Sequence, residues 1–456
     1  MADFAFLPAR RQAAMIRRGT IGCLEALDHM IARIERLDGK LNAVVVRDFE
    51  RARKRARLLD RRGTITGRLH GVPMTVKESF NIQGLPTTWG VPAKRNDVAE
   101  STALAVERLQ GAGAVVFGKT NVPIMLGDWQ SFNDIYGVTN NPWNLDRSPG
   151  GSSGGCAAAV AAGFSGLECG SDIGGSIRQP AHACGLFGHK PTWGLLPMRG
   201  HAPEPGIAGT PDISVIGPLA RSAEDLSIAL DILAGPDETE TALTLNLPGP
   251  RFTGLKGLRV AVWASDPATH TDNEITAKLL VLARHLRGEG AKVSLAARPD
   301  FDSATAYGVY LKLLMAALSA RATPEPGGLT HSEYLRLNER RSRIRRAWGL
   351  FFHDWDVLLC PAHALPALPH RHDLSPRDLR IDINGEDTKW DDMLFWPGIV
   401  GGFHLPASVA PLGISEAGLP FGVQIVGPLY GDRSTIAMAR LLEKSWQAYT
   451  PPPGWD

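Results

Sequence analysis

The chain has 456 residues, enough for one large domain or two to three ordinary ones. Its 44% hydrophobic and 21% charged residues and net charge of +2 are those of an ordinary soluble globular protein, and the dispersed Lys and Arg argue against nucleic acid as a partner. Five widely spaced cysteines without a CxxC pair exclude a disulfide framework, and no run approaches the ~18 apolar residues of a membrane span.

The N-terminal stretch MADFAFLPARRQ lacks a basic region followed by an apolar core, so it does not read as a secretory signal and a cytoplasmic location is expected. Residues 20–37 predict an amphipathic helix with Thr20 as N-cap and a stripe of Ile21, Leu24, Leu27, Ile31 and Ile34. If exposed, that helix would permit a homodimer. The basic runs at 51–62 and 340–348 have apolar residues interleaved at helical spacing and read as solvated helix faces. GVPMTVK predicts a short apolar strand, STALAVERLQGAGA a helix ending at glycine, and AVVFGK the next strand. CAAAVAA at 156–162 predicts a helix of small residues that lets neighbours approach closely. Residues 257–297 read as strand–helix–strand, 330–355 as one or two amphipathic helices, and 355–362 as a buried strand. A hairpin turning near Glu416–Gly418 is expected over 406–427, then a final helix over about 433–447. The Pro/Gly-rich stretches 202–211 and 322–328 are expected loops.

Three familiar motifs fail on context. GAVVFGKT at 113–120 matches a phosphate loop, but its intervening residues are themselves a strand and a helix precedes them. GGSSG at 150–154 matches a nucleophile elbow, but no strand leads into it, and His404 is the only candidate histidine base toward the C-terminus. His182, Cys184 and His189 have irregular spacing and no carboxylate, so no metal is expected. No GxGxxG accompanies residues 257–297, and no cofactor is expected.

The chemistry resides in two glycine-flanked serines, Ser152 and Ser176, and in Lys77 at the end of the GVPMTVK strand. Together they point to a hydrolase with a serine nucleophile and a lysine base. A serine hydroxyl is hardly ionised at neutral pH and needs a neighbouring base, and lysine serves only when burial keeps it neutral. Glu78 follows Lys77 but projects to the opposite face of a strand. The backbone N–H groups of Ile173, Gly174, Gly175 and Ser176 can converge on a developing oxyanion.

The stretches GVPMTVKESF (71–80), GKTNVP (118–123), GVTNNPWNLDRSPGGSSGG (137–155), GSDIGGSIRQPAHACGLFGHKPTW (170–193) and LPFGVQIVGP (419–428) resemble the amidase signature family. The resemblance runs from roughly residue 20 to 445. It implies a single large α/β domain with a central mixed sheet covered by helices, divided as an N-terminal helical segment at 1–65 and the amidase signature domain at 66–456. It also implies Lys77 as base, Ser152 as a bridging serine held by a cis peptide bond, and Ser176 as nucleophile. Ser153 and Ser171 are the expected hydrogen-bond partners around them, with Asp172 and Arg178 orienting the loop by ion pairing. Met125, Trp129 and Gln130 are the expected substrate contacts. Phe132, Trp193 and Trp396 are further candidates that serve equally well as core. Cys156, Ile124 and His189 depart from the family's usual residues and put substrate analogy in question.

The implied reaction is hydrolysis of a small-molecule amide to a carboxylic acid and ammonia or an amine. GVTNNPWNLDR and GGSIRQPA are also similar to the glutaminase component of tRNA-dependent amidotransferases. FWPGIVGGFHLPASVAPLG at 395–413 looks more like the free-standing bacterial amidases.

Overall fold

Helices begin where acceptors meet their first N–H groups. The computed structural model describes residues 3–455 except 205, 206, 208, 241, 320–327 and 377. The expected loop at 322–328 therefore lies almost wholly outside the described residues. Helix α1 (Ala9–Arg17) starts against Asp225, whose carboxylate accepts from the Ala9 and Arg10 N–H groups at 2.8 and 2.9 Å. Helix α2 (Cys23–Leu37) starts beyond Thr20, the expected cap. Asp60 takes that role from a neighbouring helix, accepting from Cys23 and Leu24 at 2.7 and 3.0 Å. Strand β1 (Val44–Arg47), too short to show periodicity, leads into α3 (Phe49–Arg62). Leu27, Ile31 and Ile34 pack with Ala52, Ala56 and Leu59 of α3, so the apolar stripe of α2 is buried within the chain.

The strand–helix–strand pattern is β2 (Pro73–Lys77), α4 (Leu104–Gly111) and β3 (Val115–Thr120). The strands form a sheet ordered β1–β3–β2, with β1 antiparallel and β2 parallel to β3. The phosphate-loop look-alike at 113–120 is thus strand β3. A short hairpin, β4 (Phe132–Asn133) and β5 (Gly137–Val138), precedes α5 (Gly154–Ala161). Every residue of α5 is buried. A Cβ at Gly155 would meet the Asn121 backbone nitrogen at 2.4 Å, so glycine is what lets α5 press against the end of β3.

The second sheet begins with β6 (Glu168–Asp172), α6 (Arg178–Ala183), β7 (Phe187–Lys190), β8 (Val215–Ala220) and α7 (Ala223–Leu233). β9 (Arg259–Val262), α8 (Asn273–Gly288) and β10 (Lys292–Ser294) form the expected unit with parallel strands. After α9 (Ser303–Ser319), residues 331–354 form one long helix, α10 (His331–Asp354), capped by Thr330 and Glu333. β11 (Val357–Pro361) follows, then a surface hairpin of β12 (Arg380–Ile383) and β13 (Glu386–Lys389), then α11 (Phe395–Gly401). The expected C-terminal hairpin is β14 (Ala407–Ile414) and β15 (Pro420–Val426), and α12 (Asp432–Ser445) follows it.

The resulting eight-stranded mixed sheet runs β10–β9–β11–β15–β14–β7–β8–β6. On one side Leu226, Leu282 and Met438 of α7, α8 and α12 pack against Val423 and Ile425. Elsewhere Trp348, Phe352 and Trp396 of α10 and α11 pack with Leu358 and Ala407. The basic run of α10 is only partly a solvated face. Arg340, Arg343 and Arg346 are exposed, but Arg341 is buried against Asp212 and Arg345 is half-buried. The two sheets meet where Thr75 of β2 donates to Glu168 of β6 at 2.5 Å and its N–H donates to Ser165 Oγ at 3.0 Å. This seam brings the end of β2 to the end of β6.

Asp225 ties the first helix to the large-sheet core. Asp225→Ala removes a buried cap and is expected to destabilise the protein by about 1–2 kcal/mol, read as a lowered thermal midpoint.

Candidate active site

Lys77, the last residue of β2, is completely buried at the seam. Its Nζ hydrogen-bonds with Ser152 Oγ at 2.8 Å and with Ser171 Oγ at 3.0 Å, and no carboxylate reaches it at bonding distance among the described residues. Burial, which disfavours the ammonium form, lowers its pKa to about 7. Burial likewise raises Glu168 of β6 to about 8, favouring its uncharged form at neutral pH. Glu78 points away, accepting from the Thr88 and Trp89 N–H groups at 2.6 and 3.0 Å.

Ser152 sits just ahead of α5, and the Gly151–Ser152 peptide bond is cis. Ser153 binds the surrounding pieces together. Its N–H donates to the Ser176 carbonyl at 3.2 Å, while its Oγ donates to the Ser171 carbonyl at 3.2 Å and accepts from the Ser171 N–H at 3.3 Å. One residue thus fixes the start of α5 against β6 and the turn that follows it. Among the described residues the Ser176 hydroxyl has no hydrogen-bond partner, and Ser152 Oγ bonds Lys77 rather than Ser176.

Asp172 ends β6 and organises the turn that carries Ser176. It accepts from Arg178 Nε and Nη2 at 3.0 and 2.8 Å, and from the Gly175 and Ile177 N–H groups at 2.9 and 3.1 Å. Burial acts to raise the Asp172 carboxyl, but the Arg178 guanidinium and these donors hold it at about 2. Arg178 is fully occupied as well, donating to Gln424 Oε1 at 2.6 Å and to the Pro397 carbonyl at 2.9 Å. Of the four expected oxyanion donors, Gly175 is therefore engaged internally. Among the described residues, the N–H groups of Ile173, Gly174 and Ser176 make no backbone hydrogen bond. Gly175 adopts φ +107°, a left-handed conformation suited to glycine.

The expected substrate contacts separate. Met125 is half-buried with φ +51°, unusual for a bulky residue, and its N–H donates to the Trp89 carbonyl at 2.8 Å. Trp129 is buried edge-on against His363, with ring centres 4.5 Å apart. The Gln130 amide is used within the protein: Nε2 donates to Asp128 and to the Arg371 carbonyl, and Oε1 accepts from the Arg371 N–H at 2.6 Å. Trp396 is core, its Nε1 donating to Thr271 Oγ1 at 2.8 Å. Phe132 stacks on His372, and Trp193 stacks on His404.

Gln179 and Gln424 were not singled out by the sequence, although both lie within the family-like stretches. Gln179 Oε1 accepts from the Gly151 N–H at 3.0 Å, steadying the peptide before Ser152. Tyr310, in α9, gives no sequence signal at all. Its hydroxyl donates to the Ile173 carbonyl at 3.5 Å, beside the turn that carries Ser176.

The rejected alternatives remain apart. His182 accepts from the Gly422 N–H at 3.0 Å, His189 lies between Ser408 and Asp432, and Cys184 donates to the Pro149 carbonyl. No group of metal-ligating side chains occurs among the described residues. His404 pairs with Asp212 and Arg341, not with either serine. Cys156 occupies a fully buried site, its sulfur 3.3 Å from Thr120 Oγ1. No helix among the described residues is long and apolar enough to cross a membrane.

Asp172→Ala strands a buried arginine and is expected to cost about 3–5 kcal/mol. Asp172→Ala combined with Arg178→Met should unfold at a higher temperature than Asp172→Ala alone, checked by thermal melts of both variants.

The profile of the family described as Amidase matches residues 25–327 and 322–436 of this chain. An indoleacetamide hydrolase of Bradyrhizobium diazoefficiens is 32% identical over 465 residues, spanning 94% of this chain and 85% of that protein. A component of the glutamyl-tRNA(Gln) amidotransferase of Deinococcus radiodurans is 33% identical over 487 residues, spanning 96% and 97%. A solved structure described as a vestigial protein complex, bearing on the origins of an s-triazine catabolic enzyme, superposes with a TM-score of 0.82 at 28% identity. That superposition covers 97% of this chain and 99% of the other.

Proposed function

This chain belongs to the amidase signature family of amide hydrolases, and we propose that it cleaves its amide through an acyl-enzyme on Ser176, with Ser152 and Lys77 as the proton path. The observation that carries this reading is the buried Lys77 amine 2.8 Å from Ser152 Oγ, with no charged partner to hold its proton.

The steps follow from the groups present. Ser176 Oγ attacks the amide carbonyl carbon while its proton passes to Ser152 and the Ser152 proton passes to neutral Lys77. The negative charge that develops on the carbonyl oxygen is met by the N–H groups of Ile173, Gly174 and Ser176. The C–N bond then breaks, and the nitrogen leaves with the proton returned along the same path. Water repeats the sequence on the ester and releases the carboxylic acid. Proton transfer of this type contributes about 10²–10⁴-fold, and each oxyanion donor about 10²–10³-fold. The relay requires the Ser176 hydroxyl to turn toward Ser152 when substrate is bound.

We favour the free-standing amidase over the amidotransferase component. The resemblance of residues 395–413 to free-standing bacterial amidases supports it. The similarity to the Deinococcus amidotransferase protein keeps the second reading in view, and copurification with partner proteins together with strict glutamine dependence would decide for it. A homodimer through α2 lacks support, because its apolar stripe packs inside the chain. Five buried free thiols support a reducing, cytoplasmic setting.

A fluorophosphonate should label the wild type at Ser176 and leave Ser176→Ala unlabelled and inactive; equal labelling of the variant by mass spectrometry rules out Ser176. Because Lys77 must be neutral to act, kcat/KM should fall about tenfold per pH unit below 7 and level off above it. A flat profile from pH 5 to 9 would remove lysine as the base.

A further inference from the structure

A cavity of about 560 Å³ lies outside the Lys77–Ser152–Ser176 cluster, lined by the half-buried part of α10 and by residues following β7. Its walls include the rings of Trp193 and Tyr430. Its ionisable side chains are Arg341, Arg345, Asp212 and His404, with the Tyr334 hydroxyl beside them. Asp212 is the only carboxylate among the lining residues, and it is fully taken up. It accepts from Arg341 Nη1 at 2.7 Å through both oxygens, from Tyr334 at 3.1 Å, and pairs with His404 Nε2 at 3.1 Å. Burial lowers the His404 pKa, favouring the neutral ring. Arg341 is further held by Asn338 Oδ1.

Arg345 is left over. It lies one helical turn from Arg341, faces the same cavity, and has no hydrogen-bond or ion-pair partner among the described residues. Burial and the neighbouring Arg341 charge work against it and lower its pKa, with Tyr430 and Asp212 only partly opposing them. The cavity thus carries one uncompensated positive charge. A single unpaired guanidinium fork in a cavity that aromatic rings also line matches a planar monocarboxylate, which accepts two parallel N–H bonds and brings one negative charge. A dianion would leave a surplus charge beside Asp212. The volume is within the range of small-molecule sites.

We propose that this cavity is a second ligand site, for a small flat organic monocarboxylate held by Arg345 beside the rings of Trp193 and Tyr430. The proposal is independent of the reaction at Ser176.

Calorimetric titration with benzoate tests it, with benzamide as the neutral comparator of the same shape. Benzoate should bind the wild type, Arg345→Met should weaken that binding at least about tenfold, and Arg345→Lys, which keeps the charge without the fork, should be intermediate. Benzamide affinity, including any at the reaction site, should be the same in wild type and Arg345→Met. Turnover of an amide without benzoate should also be unchanged in Arg345→Met, which shows that the variant is folded. Equal benzoate affinity in wild type and Arg345→Met overturns the proposal, as does the absence of benzoate binding to the wild type at tens of millimolar.

Discussion

A lysine amine sealed from water, with no carboxylate to bond, is stable in a folded protein mainly as the neutral base. Much of the site can be read from that constraint. Lys77 lies at the seam of two sheets, where water is excluded, and its bonding partners are the hydroxyls of Ser152 and Ser171. The carboxyl groups around it are disposed so as not to recharge it. Burial pushes Glu168 up and favours its neutral form, Glu78 is turned to backbone N–H groups, and Asp172 is committed to Arg178. A single carboxylate at bonding distance from Nζ would hold the proton and leave the hydroxyls unactivated.

The division of labour between the two buried charge systems follows. Lys77 is held without a carboxylate partner, whereas Arg178 is paired twice over, to Asp172 and to the Gln424 and Pro397 oxygens. The ion pair belongs to the scaffold. It fixes the turn between β6 and α6, and by engaging the Gly175 N–H it selects which neighbouring N–H groups remain open. The glycines of this turn are not interchangeable: Gly174 has an open donor, and Gly175 supplies the left-handed bend.

Much of this was legible in the sequence because the informative residues are local. The strand ending at Lys77, the small-residue helix α5, the parallel unit at 257–297 and the C-terminal hairpin each carry their pattern within one short segment. What escaped depends on partners distant in the chain. The α2 cap is Asp60, not the adjacent Thr20, because a folded neighbour outcompetes a local hydroxyl. Gln130 looked available for substrate, yet its amide is used by Asp128 and Arg371, the latter far along the chain. Tyr310 beside Ile173 left no trace, since a tyrosine in an apolar helix reads as core. The arginines of α10 carried the pattern of a solvated face, and helical phase alone turned Arg341 and Arg345 inward.

The seam between the sheets has one more consequence. The Lys77 amine belongs to the three-stranded sheet and the turn carrying Ser176 follows a strand of the eight-stranded one, and the direct side-chain bonds across the join include Thr75 to Glu168 and Lys77 to Ser171. Neither sheet holds a complete reactive set. The distance between Lys77 and Ser171 therefore gauges how well the two layers are seated. Loosening of that join on warming would silence turnover while each sheet still kept its strands paired, so inactivation would precede loss of secondary structure.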